Sequence, residues 1–203
     1  MIKPGFTITE PVTNTQTIVV QLGREENGHD FIWEVRCPVG AGPFILEHIH
    51  QDWKETFKIL EGEARYKLNG KEETAKAGDT IVMPAGQHHI HPWNSGDTEM
   101  VYQQFVDLPT ANPEAVQDIV SAFATLFGMS REGKVDKKGL PKNILQFAAT
   151  LRTFVKHRGY DSSVPIPVQR IVAATLGRLA ETLGYKSSYS RYLQTEEHTA
   201  LSN

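Results

Sequence analysis

The chain has 203 residues, 39% of them hydrophobic and 22% charged, with a formal net charge of −3, which suits one large globular domain or one domain with an appendage. No apolar run approaches the roughly 18 residues of a membrane span, and the N-terminal Met1-Ile-Lys-Pro-Gly has no signal-peptide core. The single cysteine, Cys37, excludes an internal disulfide framework, so a cytoplasmic protein with no membrane partner is expected.

Charge is spread unevenly. Residues 1–110 carry 9 Lys/Arg against 16 Asp/Glu, and residues 111–203 carry 12 against 8. The basic excess of the second part is thinner than a nucleic-acid footprint, so no nucleic-acid partner is expected.

Residues 1–108 read as short strands. Gln16–Leu22 and Phe31–Cys37 are β-branched and aromatic and are separated by the turn-rich Gly23–Gly28. In the second run Phe31, Trp33, Val35 and Cys37 alternate with Ile32, Glu34 and Arg36, the period of a half-buried strand. Lys54–Leu60, Glu63–Leu68 and Glu72–Lys76 follow, divided by Glu61-Gly62 and by the hairpin signal Asn69-Gly70. Thr80–Met83, a segment near His89–Trp93, and Met100–Val106 complete the set. With no helical crossovers between them, these strands predict an antiparallel sandwich or barrel.

The texture changes at residue 109. Asn112-Pro113 opens a helix whose apolar stripe is Val116, Ile119, Val120, Phe123 and Phe127. A second helix is predicted from about Pro141 to Arg158, ended by Gly159. A third carries Val168, Ile171, Val172, Leu176, Leu179 and Leu183 up to Gly184. Residues 109–194 are therefore a helical extension, and 195–203 a polar tail.

Five of the eight histidines lie between Gly42 and Asn94, with Glu55 five residues past His50. Neutral imidazole and carboxylate are the ligands of Zn, Fe, Mn, Ni and Cu ions. His48 and His50, two apart on a strand, point to one face, and Glu55 shares a face of the next strand with Phe57 and Ile59. A fourth ligand is expected from His88, His89 and His91, beyond the turn Pro84-Ala-Gly86.

These residues resemble the two motifs of the cupin superfamily. Gly42, His48, His50, Glu55 and Gly62 have the spacing of the first, and Gly78, Pro84, Gly86 and His89 that of the second. The resemblance covers roughly residues 28–107. It implies a double-stranded antiparallel jelly-roll barrel in residues 1–108, one divalent transition metal ion held by His48, His50, Glu55 and His89, and a homodimer. In one respect the chain departs from the pattern, which puts Asn four residues after the last ligand; here Trp93 occupies that place and the asparagine is Asn94. One extra residue therefore sits within Gln87–Trp93, as a bulge or longer turn, and His91 is the alternative fourth ligand. Strand parity counted from His89 turns His91 and Trp93 inward and His88 outward, so that Trp33, Phe57, Tyr66 and Trp93 line an apolar, partly aromatic cavity.

Four protein ligands leave two positions open on a six-coordinate ion, room for a chelating substrate or for a substrate and dioxygen. The expectation is a small metalloenzyme, an Fe(II)-type dioxygenase of a small organic substrate, with Glu55 and His91 as its acid–base groups. The alternative is a non-catalytic metal- or metabolite-binding protein; a metal-dependent isomerase stands behind both. A DNA-binding regulator is disfavoured: Leu179–Tyr192 faintly resembles a helix-turn-helix centre, but Ser190 stands where an apolar residue is required.

Overall fold

The structure is a computed structural model that describes residues 2–193; the polar tail at 195–203 lies outside the described residues. Ten strands come first: β1 (Thr7–Thr9), β2 (Gln16–Leu22), β3 (Phe31–Cys37), β4 (His48–His50), β5 (Lys54–Glu61), β6 (Glu63–Leu68), β7 (Lys71–Lys76), β8 (Thr80–Met83), β9 (His89–Asn94) and β10 (Met100–Asp107). They form two antiparallel sheets, one ordered β1-β2-β3-β10-β5-β8 and the other β11-β4-β9-β6-β7, where β11 is a late strand described below. From β4 to β10 the chain passes back and forth between the sheets, as in the barrel that the motifs imply.

Local chemistry sets the turns. Asn69 and Gly70 both have positive φ (49° and 79°), which closes the β6–β7 hairpin with the twist such a pair requires. Gly62, with φ +77°, turns β5 into β6 where an added Cβ would stand 2.7 Å from the Glu99 carbonyl oxygen. Alternation fills the interior: Trp33, Val35 and Cys37 of β3, Phe57 and Ile59 of β5, and Met100 and Tyr102 of β10 are all buried.

Three helices follow. In α1 (Pro113–Arg131) the Asn112 side chain accepts from the Ala115 amide at 3.0 Å, and Val116, Ile119, Val120 and Phe127 are buried. The helix α2 (Ile144–Lys156) starts three residues later than expected, because Asn143 caps the amides of Leu145 and Gln146 while Pro141 forms a bridge with Val135. Gly159 does not simply end that helix. It opens β11 (Gly159–Asp161), which pairs with β4 as Gly159↔His50 and Asp161↔His48.

The third helix runs as α3 (Ile166–Val172), a π-helical turn (Ala173–Gly177) and α4 (Arg178–Thr182), and stops before Gly184 (φ +88°). Its predicted apolar stripe is not the buried side: Val168, Ile171, Leu179 and Leu183 are exposed. The small residues Ala173, Gly177 and Ala180 face inward instead, and a Cβ at Gly177 would lie 3.0 Å from the Ala148 carbonyl of α2. Close backbone approach, not a large stripe, seats this helix. Among the described residues no helix is long and apolar enough to cross a membrane.

Candidate metal centre

Three strands from two sheets supply five ionisable side chains to one place. His48 and His50 come from β4, Glu55 from β5, and His89 and His91 from β9, with His48 directly opposite His89 in the β4–β9 pairing. The ligating atoms of His48, Glu55, His89 and His91 all lie within 4.8 Å of one another, a group that could hold a metal ion. His91, read from the sequence as the alternative ligand or a pocket acid–base, thus stands in the group. His50 stands at its edge, its Nε2 3.7 Å from Glu55 Oε1 and its ring stacked on Trp53 at 4.1 Å.

Backbone carbonyls fix the tautomers. His48 Nδ1 donates to the Leu46 carbonyl at 2.7 Å and His89 Nδ1 to that of Gln87 at 2.9 Å, which leaves both Nε2 lone pairs bare. His89 Nε2 then lies 2.9 Å from Glu55 Oε2. Both atoms are acceptors in that state, so a proton or a cation belongs between them. Neighbouring donors about 2.1 Å from one ion, at right angles, stand roughly 3 Å apart, so the separation fits a shared metal. His91 Nε2 lies 3.4 Å from the same oxygen. Glu55 Oε2, His89 Nε2 and both nitrogens of His91 are buried without hydrogen-bond partners, and such orphaned atoms demand an explanation. A metal ion provides one.

The electrostatics keep two of the imidazoles, His48 and His50, unprotonated. Burial, then the imidazoles of His89, His50 and His91, hold His48 well below its ordinary value. Burial brings His50 down to about 4 against the pull of Glu55. Burial alone would raise the Glu55 carboxyl, yet His91, His50 and His89 hold it well below the usual range. For His89 burial is outweighed by Glu55 and the Gln87 carbonyl, and its value is raised. Two neutral imidazoles and an ionised carboxylate are what metal binding requires.

The extra residue on β9 resolves as a bulge. Leu68 pairs with His89, Lys67 with Ile90, Arg65 with Trp93 and Ala64 with Asn94, so His91 and Pro92 together face Tyr66. Parity therefore changes within the strand. His89, His91 and Asn94 are buried, whereas Trp93, expected inward, is half-buried opposite the exposed Arg65. The Asn94 amide reaches the carbonyls of Cys37, Pro38 and Thr98 and ties the end of β9 to the loop after β3. His88 points away and bonds Ser162 Oγ at 2.7 Å. Tyr66 is half-buried and donates to Glu73 at 2.7 Å.

Two contributors escaped the sequence reading. Gln104 of β10 is buried and donates from Nε2 to Glu55 Oε1 at 2.8 Å, which leaves Oε2 free for the centre. The period-2 pattern of β10 was the only signal for it. Gly159 is the other: a Cβ there would come within 3.2 Å of His50 Nδ1, so the extension's own strand leaves room for that ring. Above the centre is a cavity of about 500 Å³, reached by His48, His50, Glu55, His91, Trp33 and Gln104 at one end and enclosed by all three helices at the other. Phe57 lies beneath, its ring 4.9 Å from that of His91.

A family comparison agrees with the barrel. Residues 33–107 match the family model described as "Cupin domain". Among solved structures, the chain is similar to a predicted oxalate decarboxylase from Thermotoga maritima (25% identity over 53% of this chain and 93% of that one, TM-score 0.41). It is also similar to an uncharacterized conserved protein with a double-stranded beta-helix domain from Klebsiella pneumoniae (25%, 55% and 86%, 0.40). A third is a cupin-superfamily sugar phosphate isomerase from Silicibacter pomeroyi (19%, 54% and 74%, 0.40). No curated protein matches the chain.

Proposed function

We propose, for a chain whose barrel belongs to the cupin superfamily, a metalloenzyme that oxidises a small organic substrate with dioxygen. The observation that carries this reading is the convergence of partnerless nitrogen and oxygen donors at the closed end of a cavity large enough for a substrate. An ion bound there supplies Lewis-acid polarisation of an oxygen ligand and, as Fe(II), a centre able to activate dioxygen.

His48, Glu55 and His89 form the core of the ligand set, the two imidazoles through Nε2 and the carboxylate through Oε2. Motif spacing assigns His50 as the fourth ligand, and proximity assigns His91. Of these two, the one that does not ligate is left beside Glu55 to hold or pass a proton. Gln104 positions Glu55 by occupying its other oxygen. Assembly as a homodimer in the cytoplasm belongs to the same proposal.

The test is metal analysis after loading with Fe(II) without oxygen, then oxygen uptake with diketones, phenols and thiols. One ion per chain is expected, lost in His48→Ala and bound about 10–100-fold more weakly in Gln104→Ala. Of His50→Ala and His91→Ala, one loses the ion and the other keeps it but loses turnover. Failure of the native protein to hold stoichiometric metal under metal-replete conditions overturns the proposal. Stoichiometric metal with no turnover across the panel favours a non-catalytic binding protein instead.

A further inference from the structure

The helical extension encloses more of the cavity than the barrel does, and with a different chemistry. Phe123, Leu126, Phe147, Leu151 and Phe154 line it from the helices and Phe44 from the loop between β3 and β4, and each is half-buried. Two polar side chains on the same walls are already paired. Gln169 donates to the carbonyls of Asp161 (2.9 Å) and Val164 (2.7 Å) and accepts from the Asp161 amide (3.1 Å). Thr150 accepts from Gln146 at 3.3 Å. A cavity with such walls repels water and favours an apolar guest.

The opposite end is polar and incomplete. Besides the histidines, Trp33 is among its lining residues, and the indole N–H of that side chain is buried without a partner, a donor that calls for an acceptor. Of the carboxylates that line the cavity, Glu10 is engaged by the Val12 and Thr13 amides, Glu47 by Lys67 and Asp161 by the Ser163 amide, so a divalent ion held at Glu55 leaves the centre itself with one positive charge for the ligand to neutralise.

We propose that the cavity takes a monocarboxylate whose anionic head meets the His/Glu centre and the Trp33 N–H, and whose unbranched or aromatic apolar tail lies between α1, α2 and α3. The extension therefore sets ligand length. This rests on the reading of the centre as a metal site.

Isothermal titration of the metal-loaded full chain with straight-chain carboxylates from butanoate to dodecanoate tests it, with metal content measured on the same samples. Affinity is expected to rise about threefold to fourfold per methylene until the cavity is filled. Leu151→Trp is expected to shorten the longest chain accepted and Phe154→Leu to lengthen it. Trp33→Phe should weaken every member by a similar factor. Affinity independent of length, in protein carrying stoichiometric metal, overturns the inference and leaves the metal reading standing. A length dependence that neither helix variant moves overturns the assignment of the wall to the extension. Protein that takes up no metal overturns the function proposed above, and with it the head-group contact; the metal analysis reports that failure separately from the length series.

Discussion

Four imidazoles and a carboxylate crowd one space, and their mutual influence makes the stability of the metal-free protein depend on pH in both directions. Unfolded, each histidine takes up a proton near 6.5; folded, His48 and His50 resist it, His50 down to about 4. Across that window the unfolded chain binds more protons, so stability falls as pH falls. For His50 alone the loss is on the order of 3 kcal/mol. His89 has the opposite sign: its raised value stabilises the fold below 6.5 and is lost as pH rises through it. Glu55, held low, contributes above its ordinary value of 4.5 and loses that contribution only in stronger acid. Denaturant midpoints of chelator-treated protein are expected to peak near pH 6.5 and to fall on both sides. Bound metal replaces the His89 proton and should remove the alkaline decline. A midpoint unchanged between pH 6.5 and 4.5 would refute this account.

At the scale of elements, turns and a bulge aim the side chains. Gly62 serves the fold twice, by a left-handed conformation and by the close passage of the Glu99–Met100 backbone. Gly62→Ala is expected to cost at least about 2 kcal/mol, since neither the dihedral angle nor the neighbouring backbone can give cheaply. Urea unfolding measures it, and a loss under about 0.5 kcal/mol, the range of a neutral surface change, would show that the turn relaxes. The β9 bulge does something a regular strand cannot. It keeps His89 and His91 facing the centre, yet still delivers Asn94 to the carbonyls after β3.

For the whole molecule, the extension is part of the barrel's architecture. It contributes β11 to the sheet that carries His48 and His50, roofs the cavity, and joins the two oppositely charged parts through contacts such as Arg158–Asp52 at 2.7 Å. A chain stopped after Leu108 would expose the β4 edge and the apolar cavity rim, both invitations to association. Such a truncation is expected to be largely insoluble or to elute as large aggregates in size-exclusion chromatography. A soluble, monodisperse truncation that binds metal like the full chain would show that the barrel needs no roof.

The sequence by itself determined strands β2 to β10 and three helical regions, the hairpin at Asn69-Gly70, and His48, Glu55 and His89 as candidates for one site, but neither β1 nor β11. Those features repeat with local periods or fixed spacings, which a linear chain displays directly. Only the tertiary structure decided that His91 joins the group while Trp93 turns away, because one unpaired residue on β9 reverses parity and its position depends on the partner strand β6. Gln104 and Gly159 were illegible for a related reason: each acts on a site residue far away in the chain, 49 positions from Glu55 in the case of Gln104. The third helix misled because its large apolar residues were its loudest signal, whereas close packing selected its small ones. The cavity above the centre likewise exists only once three helices, separate in sequence, have closed over the barrel mouth.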